Sequence, residues 1–456
     1  MHLPPAGEHT ILCVTDGDCA SYSARMTDFS PSRRTVLAGA GAAATALALP
    51  LGSPSAQAAA VRNVRLWRCL GSALSGGYHA GTRYAAGTIV MGVPQGRLTY
   101  TDPYGPRTTR TYDHGTWTTG WYTPEFAMTQ VIPSWRAITP GGTWISVWVQ
   151  ATTTSGATTQ WFSLGRWSDI QPGSPYRMTV NGQADAYASV ATDTLRAKAG
   201  YAFRSWRLRI TLNRPAGTTA TPTVTAANVM SSAVPTGSTV SVPVSPVGGA
   251  RGVVLAVPTY SQMVHAGHYP SLNGGGEAWC SGTSTAMVLD YWKAGPGRTE
   301  VAWVNPTPHT NPQVDHAVAK AFDYGYNGSG NWAFNTAYAG TRGLDAFVTR
   351  LRSLDEAQRF IAAGIPLVIS TSFTSSQLTG AGFGTNGHLM VIVGFDGAGN
   401  VVVNDPASGM RASNAYVRRT YNRAQLENAW ARSGGTTYVM RPTWKALPAA
   451  PAQRNW

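Results

Sequence analysis

The sequence predicts two domains of different fold class, an all-β sandwich-like domain followed by an α+β domain. Residues 59–228 contain short alternating runs rich in Trp, Thr, Val and Tyr, broken by Gly and Pro about every ten residues, which is typical of antiparallel strands. In residues 252–456 helical patterns come first and a compact group of strand patterns follows. Residues 229–251 are rich in Ser, Pro, Thr, Val and Gly, so we expect them to link the two domains.

The strands of the first domain are predicted from alternation with period two. Thr143 to Val149, Thr159 to Leu164 and Trp206 to Leu212 are the clearest examples. Tryptophans crowd this half of the chain, at positions Trp67, Trp117, Trp121, Trp135, Trp144, Trp148, Trp161, Trp167 and Trp206. Such rings either fill the sandwich core or form a sugar-stacking surface, and the second reading predicts binding to a cell-wall polymer.

The helices of the second domain follow from four-residue spacing. Met287 and Tyr291 continue such a series into a buried helix that begins near Cys280, and a second helix is expected after Pro312. A capping-box pattern at Ser353 to Glu356 predicts a third helix. The other predicted elements are strands at Val253 to Pro258, Pro366 to Ser372, His388 to Asp396, Val401 to Asp405 and Thr437 to Met440, and a short helix at Gln425 to Ala431.

Residues 1–58 have the pattern of a twin-arginine signal region. Ser32 to Leu37 contains the arginine pair, an uncharged run follows, and an A-x-A pattern ends at Ala58. We therefore expect export by the twin-arginine route, cleavage near Ala58 and a secreted, extracellular protein. The residues before Met26 are acidic and unlike a targeting segment, so Met26 is the expected true start. No later segment is apolar enough to predict a stable membrane anchor.

Composition narrows the range of partners. Charged residues make up 12% of the 456 residues, against roughly 25% in typical soluble proteins. The net charge of +14 comes mostly from arginines that are spread along the chain without a basic block. This pattern argues against nucleic-acid binding and favours a basic surface that adheres to anionic cell-wall polymers.

Cysteine usage points to thiol chemistry. Cleavage at the predicted site leaves Cys69 and Cys280, which fall in different predicted domains and cannot build a disulfide scaffold. Cys280 would lie in the first turn of its helix, where the helix dipole favours a thiolate. The alternative for Cys280 is a small buried apolar side chain.

A nucleophilic thiol needs a base and a group that orients the base. Among the histidines of the second domain, His388 opens an apolar strand behind a glycine-containing loop and is the best candidate for the base. Asp405, at the end of the next predicted strand, would orient His388 if the two strands form a hairpin. Asn404 is one residue out of phase and should face the opposite side of its strand.

Metal binding is the competing use of histidines. His265 and His268 form a loose pair with no cysteine or carboxylate at zinc-like spacing, so we expect neither a metal site nor a cofactor.

These residues, in this order, resemble a known family. Gln262, Ala278 to Ser284, Gly387 to Gly394 and Asn404-Asp405-Pro406 are similar to segments of the papain-like cysteine peptidases of the double-glycine-leader (bacteriocin-processing) family, number thirty-nine among cysteine peptidase families, and most similar to its secreted stand-alone branch. The resemblance covers about residues 252 to 442.

The resemblance implies a papain-like fold in which Cys280 is the nucleophile, His388 the general base and acid, and Asp405 its orienting group. It also implies an oxyanion hole formed by Gln262 and the backbone N–H of Cys280. The expected activity is hydrolysis of peptide or protein substrates through a thioester acyl-enzyme.

Two other functions stay open. Family members that clip leader peptides are usually fused to a membrane exporter, and no exporter sequence accompanies this domain. One alternative is a hydrolase or amidase that acts on peptidoglycan stem peptides. The other is a catalytically silent papain-like module that only binds peptides.

Overall fold

The computed structural model describes residues 61–169, 175–307 and 309–456. The predicted signal region, its cleavage site at Ala58 and the expected start at Met26 lie outside the described residues. The described part is mostly antiparallel β-sheet with few helices.

The first domain consists of strands joined by turns and one short 3₁₀ segment. Its strands are β1 (Asn63–Leu70), β2 (Tyr78–Ala80), β3 (Thr82–Ala85), β4 (Thr88–Met91), β5 (Gly96–Thr101), β6 (Thr109–Thr118), β7 (Gln130–Ile138), β8 (Trp144–Thr153), β9 (Phe162–Trp167), β10 (Ala188–Ala191), β11 (Thr194–Ala197), β12 (Phe203–Pro215) and β13 (Thr223–Ala233).

These strands form two sheets that share one core. The first sheet has the order β10-β11-β7-β13-β4-β3 with β1 on β13, and the second has the order β2-β6-β12-β8-β9 with β5 on β6. Trp206 of β12 crosses between them, because its ring meets Trp67 of β1 at 5.4 Å and its Nε1 donates to Ser231 Oγ of β13 at 2.8 Å. The alternating pattern therefore produces two facing sheets, as expected from sequence.

Most of the tryptophan rings are structural. Of the nine named above, Trp117, Trp135, Trp144, Trp167 and Trp206 are buried, and Trp121 is exposed. Burial of these large rings supplies much of the apolar area that stabilises the sheets.

The segment between the domains is packed against the second domain. Strand β13 continues to Ala233, past the expected boundary at 228, because its residues pair with both β1 and β7. Beyond it, the backbone N–H of Ser245 donates to Glu427 at 2.7 Å and that of Gly248 to Gln358 at 2.6 Å. The connector is thus held by side chains of two helices.

The second domain mixes helices and strands. Its helices are α1 (Cys280–Tyr291), α2 (Pro312–Ala321), α3 (Trp332–Thr341), α4 (Leu354–Ala362) and α5 (Arg423–Arg432). Its strands are β14 (Asp345–Arg350), β15 (Leu367–Phe373), β16 (Thr385–Phe395), β17 (Val401–Asn404), β18 (Arg418–Tyr421) and β19 (Thr436–Arg441).

The strands form one antiparallel sheet, and α1 packs on β16 and on α2. Two local expectations differ from the structure. Val253 to Pro258 is not a ladder strand, because Val254 makes only an isolated bridge to Gly394. The Ser353 side chain does not cap α4, since Glu356 instead accepts from the backbone N–H of Arg352 at 2.8 Å.

The two domains share a wide apolar contact. Phe334 of α3 packs against Trp135 of β7 and Trp167 of β9, with ring centroids 6.1 and 5.5 Å away. The C-terminal segment adds a second link, because Arg454 accepts from the backbone of β1 and Asn455 donates to Arg350 of β14. The first domain is therefore a fixed support for the second.

No helix in the described ranges is both long and apolar enough to cross a lipid bilayer.

Candidate active site

Cys280 is the first residue of α1 and is only 1% exposed. The N–H groups of a first helical turn have no intrahelical acceptors and carry the positive end of the helix dipole, which favours an anionic group there. Two contacts fix this turn. Trp279 Nε1 donates to the carbonyl of Leu272 at 2.7 Å, and the Ser281 hydroxyl lies 3.0 Å from that of Tyr438 on β19.

His388 and Asp405 form a buried pair on neighbouring strands. Strands β16 and β17 pair antiparallel, which brings the residue after β17 beside the start of β16. His388 Nε2 lies 2.7 Å from Asp405 Oδ1, and both side chains are fully buried. Asp405 also accepts from the Tyr421 hydroxyl at 2.7 Å and from the backbone N–H of Ala407 at 3.0 Å. The carboxylate is therefore held in one orientation.

The electrostatics of this pair favour an imidazolium beside a carboxylate. Burial alone would lower the pKa of His388, but the charge and hydrogen bond of Asp405 and the adjacent Cys280 thiol raise that pKa to about 10. Burial would raise the pKa of Asp405, whereas His388, Tyr421 and the backbone of Ala407 bring it below its usual value. Because Nε2 is bonded to Asp405, Nδ1 is the ring nitrogen available to the Cys280 thiol.

Asn404 faces away from this pair. Its Nδ2 donates to the carbonyl of Pro258 at 2.8 Å, and its Oδ1 accepts from Arg418 Nε at 2.6 Å. Alternation along the strand separates Asn404 from Asp405, so the carboxylate is the group that contacts His388.

Gln262 lies in a 3₁₀ turn next to the residues that precede Cys280. Its Nε2 donates to the carbonyl of Glu277 at 2.8 Å, and its own backbone N–H donates to the carbonyl of Pro406 at 2.9 Å. An amide nitrogen carries two hydrogens, so Nε2 keeps one donor for a further acceptor. The turn thus connects the Asp405-Pro406 segment with the approach to Cys280.

Glycine is required where the two turns meet. A Cβ on Gly276 would lie 2.1 Å from the carbonyl oxygen of Gln262, and Gly275 has a φ of 111°. The structure gives Gly275 and Gly276 a packing role, since they let the Gln262 turn lie directly against the chain before Cys280.

Two residues of the site were not predicted from sequence. Tyr421, on β18, bonds to Asp405, and the ring of Phe383 meets the His388 ring edge-on at 5.3 Å. Phe383 covers the imidazole with an apolar surface, which strengthens its interaction with Asp405. Tyr421 could have been proposed as a partner of Asp405 only if β18 had been predicted, and this four-residue strand has a weak sequence pattern.

Cys69 has a different environment. It is buried in the first domain, and burial raises the pKa of its thiol to about 11. Neither Cys69 nor Cys280, the cysteines of the described ranges, is in a disulfide.

Residues 64–232 match the family model described as peptidase C39 N-terminal domain, and residues 254–438 match the model of the peptidase C39-like family. No curated protein matches the chain.

Among solved structures, the chain is similar to a Bacillus anthracis protein described as a C39-like peptidase, with 21% identity and a TM-score of 0.26, over 41% of this chain and 96% of that one. It is also similar to a family two carbohydrate esterase from Cellvibrio japonicus, with 11% identity and a TM-score of 0.16, over 50% of this chain and 51% of that one. The two family-model matches support the C39 peptidase family for this chain, whose residues 254–438 form a C39-like peptidase domain.

Proposed function

We propose that the protein is a secreted cysteine peptidase of the stand-alone C39 type, with Cys280, His388 and Asp405 as its catalytic triad. One observation carries the proposal. A buried histidine is paired with a carboxylate at 2.7 Å, and that carboxylate, together with the thiol at the start of a helix, raises the pKa of the histidine. A thiol, a base and an orienting carboxylate are the parts that nucleophilic catalysis needs.

The reaction proceeds in two steps. The Cys280 thiolate attacks the peptide carbonyl carbon, and the C–N bond breaks as the His388 imidazolium gives its proton to the leaving amine. Water then attacks the thioester with His388 as base, which releases the carboxylic acid and regenerates the thiol.

Gln262 and the helix N-terminus stabilise the oxyanion formed in each step. Gln262 Nε2 supplies one donor and the Cys280 backbone N–H supplies the other. Each such donor contributes about 3 kcal/mol to transition-state stabilisation in comparable sites. The hydrogen bond from Gln262 Nε2 to the carbonyl of Glu277 turns the amide so that its nitrogen, rather than its oxygen, faces the segment before Cys280.

The test is the Cys280→Ala variant, with Cys69→Ala as its matched control. We expect Cys280→Ala to abolish hydrolysis of a quenched fluorogenic peptide library and to remove rapid iodoacetamide labelling. Cys69→Ala should change neither, because burial keeps the Cys69 thiol protonated. Hydrolysis that survives Cys280→Ala, or a wild-type thiol that alkylates no faster than free cysteine, would contradict the mechanism.

Digestion of purified cell walls separates this function from its closest alternative. Release of stem-peptide fragments, with no cleavage in the peptide library, would identify a peptidoglycan hydrolase or amidase. Binding of peptides without any turnover would identify a silent module.

Export and wall attachment are parts of the same proposal. The exposed Trp121 and the half-buried Trp161 flank Arg207, whose guanidinium lies 4.7 and 5.0 Å from the two ring centroids. Aromatic rings beside a cation suit an anionic sugar polymer. Trp121→Ala should reduce retention on isolated walls, and N-terminal sequencing of the secreted protein should begin near Ala58. A mature protein that begins before Ala40 would exclude the proposed cleavage.

A further inference from the structure

A second cluster of titratable side chains lies behind the candidate active site. His265, His268, His309 and Asp315 each bring one ligand-type atom to within 4.8 Å of all the others. His265 ends the 3₁₀ turn that begins at Gln262, and Asp315 lies in the first turn of α2. The fold thus gathers three imidazoles and one carboxylate from separate segments.

The contacts in this cluster are short but are not all hydrogen bonds. Nδ1 of His265 lies 3.0 Å from Asp315 Oδ2, and both side chains are fully buried. Within the described residues, the two ring nitrogens of His265 have no hydrogen-bond partner. Among these residues, Oδ2 of Asp315 has none either. Buried polar atoms without partners are uncommon and call for a ligand or an ion.

The tautomer of His268 also indicates that the cluster holds a cation. Its Nε2 is hydrogen-bonded to the backbone carbonyl of Asn305, so Nε2 must carry the proton. In the neutral ring Nδ1 is then a lone pair, and it lies 2.5 Å from Asp315 Oδ1. Two acceptors at this distance repel each other unless a cation lies between or beside them.

We propose that His265, His268, His309 and Asp315 bind one Zn²⁺ ion. Three imidazoles and a carboxylate form a common donor set for tetrahedral zinc, and bonds of about 2.0–2.2 Å place the ligand atoms about 3.4 Å apart. The separations from Asp315 oxygens to Nδ1 of His268 and of His265 are 2.5 and 3.0 Å, somewhat shorter than this value, so binding of the ion would move these atoms slightly apart.

Backbone carbonyls hold two of the ligands in the required orientation. His268 donates through Nε2 to Asn305, and His309 Nδ1 lies 2.9 Å from the carbonyl of Thr310. Metal-bound histidines usually donate their second N–H to such an acceptor, which fixes the ring and its tautomer. The rings of His268 and His309 are also stacked, 8° from parallel and 4.5 Å apart.

The ion would fix one wall of the candidate active site. The His265 ring lies 6.0 Å from the ring of Trp279, the residue before Cys280. His265 also belongs to the turn that carries Gln262, and Gly276 packs against the backbone of that turn. Zinc would thereby position the Gln262 amide without taking part in the reaction.

The sequence argued against this site because His265 and His268 have no acidic or cysteine ligand nearby in the chain. Asp315 comes 47 residues after His268, on a helix that only the fold brings close. A site assembled from three segments has no spacing pattern to detect.

The test is the metal content of the full chain. The protein is produced with zinc in the growth medium, dialysed, and measured by inductively coupled plasma mass spectrometry. We expect about one zinc per chain in the wild type and in Cys280→Ala. His268→Ala and His309→Ala should retain almost none, because loss of even an outer-shell partner lowers metal affinity about 10–100-fold. These two ligands are chosen because their side chains are 15% and 12% exposed, whereas those of His265 and Asp315 are fully buried.

His114→Ala, in the other domain, is the matched control and should keep its zinc. A wild-type protein without zinc would overturn the proposal and leave a shared proton as the cation of the cluster. Loss of zinc in Cys280→Ala would also overturn it, since the metal would then sit on the catalytic thiol.

Should both histidine variants fail to fold, Co²⁺ titration of Cys280→Ala decides the matter. Visible absorption of tetrahedral Co²⁺ at one equivalent supports the site, and its absence rejects it. Metal binding and peptide hydrolysis are measured separately, so failure of the zinc site leaves the triad proposal intact.

Discussion

Two buried histidine–aspartate centres lie on either side of the Gln262 turn, and they differ in how many imidazoles share one carboxylate. In the first, Asp405 receives one imidazole, one hydroxyl and one backbone N–H. In the second, Asp315 is approached by three imidazoles. The nitrogen–oxygen distances are similar, 2.7 Å to His388 and 3.0 Å to His265.

The count of donors decides what each centre can do. At Asp405 every contact places a hydrogen toward the carboxylate, so one movable proton on His388 satisfies the pair. At Asp315 the protons of two neutral rings, His268 and His309, are used by the backbone carbonyls of Asn305 and Thr310. The three rings therefore present more lone pairs than protons to the cluster, which suits a metal ion. A histidine–aspartate contact therefore indicates general-base chemistry only where the second ring nitrogen is available to a nucleophile, which is the arrangement proposed for His388 and Cys280.

The largest expected effect separates the two centres directly. Asp405→Asn removes the charge that stabilises the His388 imidazolium, so we expect kcat/KM for peptide hydrolysis to fall by about a hundredfold or more. The Cys280 alkylation rate should fall with it. Asp315→Asn is the matched variant and should lower zinc content while leaving the alkylation rate within a few-fold of the wild type. Equal losses of alkylation in the two variants would show that the centres do not act separately.

Removal of zinc should have the next largest effect, and on stability rather than on the thiol. An ion present at about 100 times its dissociation constant stabilises the folded state by about 2.7 kcal/mol. We expect a chelator to lower the Tm of the wild type and of Cys280→Ala equally, and to leave His309→Ala unchanged. Thermal melts with and without chelator measure this, and an equal shift in His309→Ala would place the ion elsewhere.

The residues of the first centre could be predicted from sequence because each lies at or near the end of a helix or strand with a recognisable local pattern. Cys280 begins a helix with four-residue spacing, and His388 and Asp405 are brought together by a short hairpin. Alternation also separated Asp405 from Asn404. Such local relations survive in the fold, so the pattern was sufficient to locate them.

The remaining features depend on distant contacts. Strand β14 is buried along its whole length and shows no alternation, and α3 is buried on nearly every side, so neither has an amphipathic pattern. Tyr421 reaches Asp405 only because β18 pairs with β17. Val253 to Pro258 is as apolar as a strand but lacks a partner ladder, which no single segment reveals.

The pH dependence of stability should distinguish the first centre by its sign. The pKa of His388 is raised from 6.5 to about 10, so its contribution is complete below pH 6.5 and is lost as pH rises toward 10. The pKa of Asp405 is lowered from 3.8, so its contribution is present above that value and lost as pH falls through the folded pKa. Both contributions are complete between pH 3.8 and pH 6.5, so the pair stabilises the fold most in that range.

We therefore expect the free energy of unfolding, from urea melts, to fall by up to about 1.4 kcal/mol per pH unit between pH 6.5 and 10 because of His388. His388→Gln lacks the titrating group and should show a correspondingly weaker decline. Parallel curves for the two proteins would mean that His388 is neutral in the folded state.

The smallest effect is expected from Tyr421→Phe, which removes one hydrogen bond from Asp405 Oδ2 and keeps the ring. Loss of a single hydrogen bond costs about 1 kcal/mol, equivalent to roughly a fivefold fall in kcat if the bond matters for holding Asp405 against His388. Tyr260→Phe is the control, because Tyr260 donates a similar bond of 2.6 Å to Asp290, away from the triad. Both variants should lose similar stability in urea, but only Tyr421→Phe should lower kcat. Identical kinetics in the two variants would assign Tyr421 to packing alone and leave Asp405 oriented by the Ala407 N–H and by His388 itself.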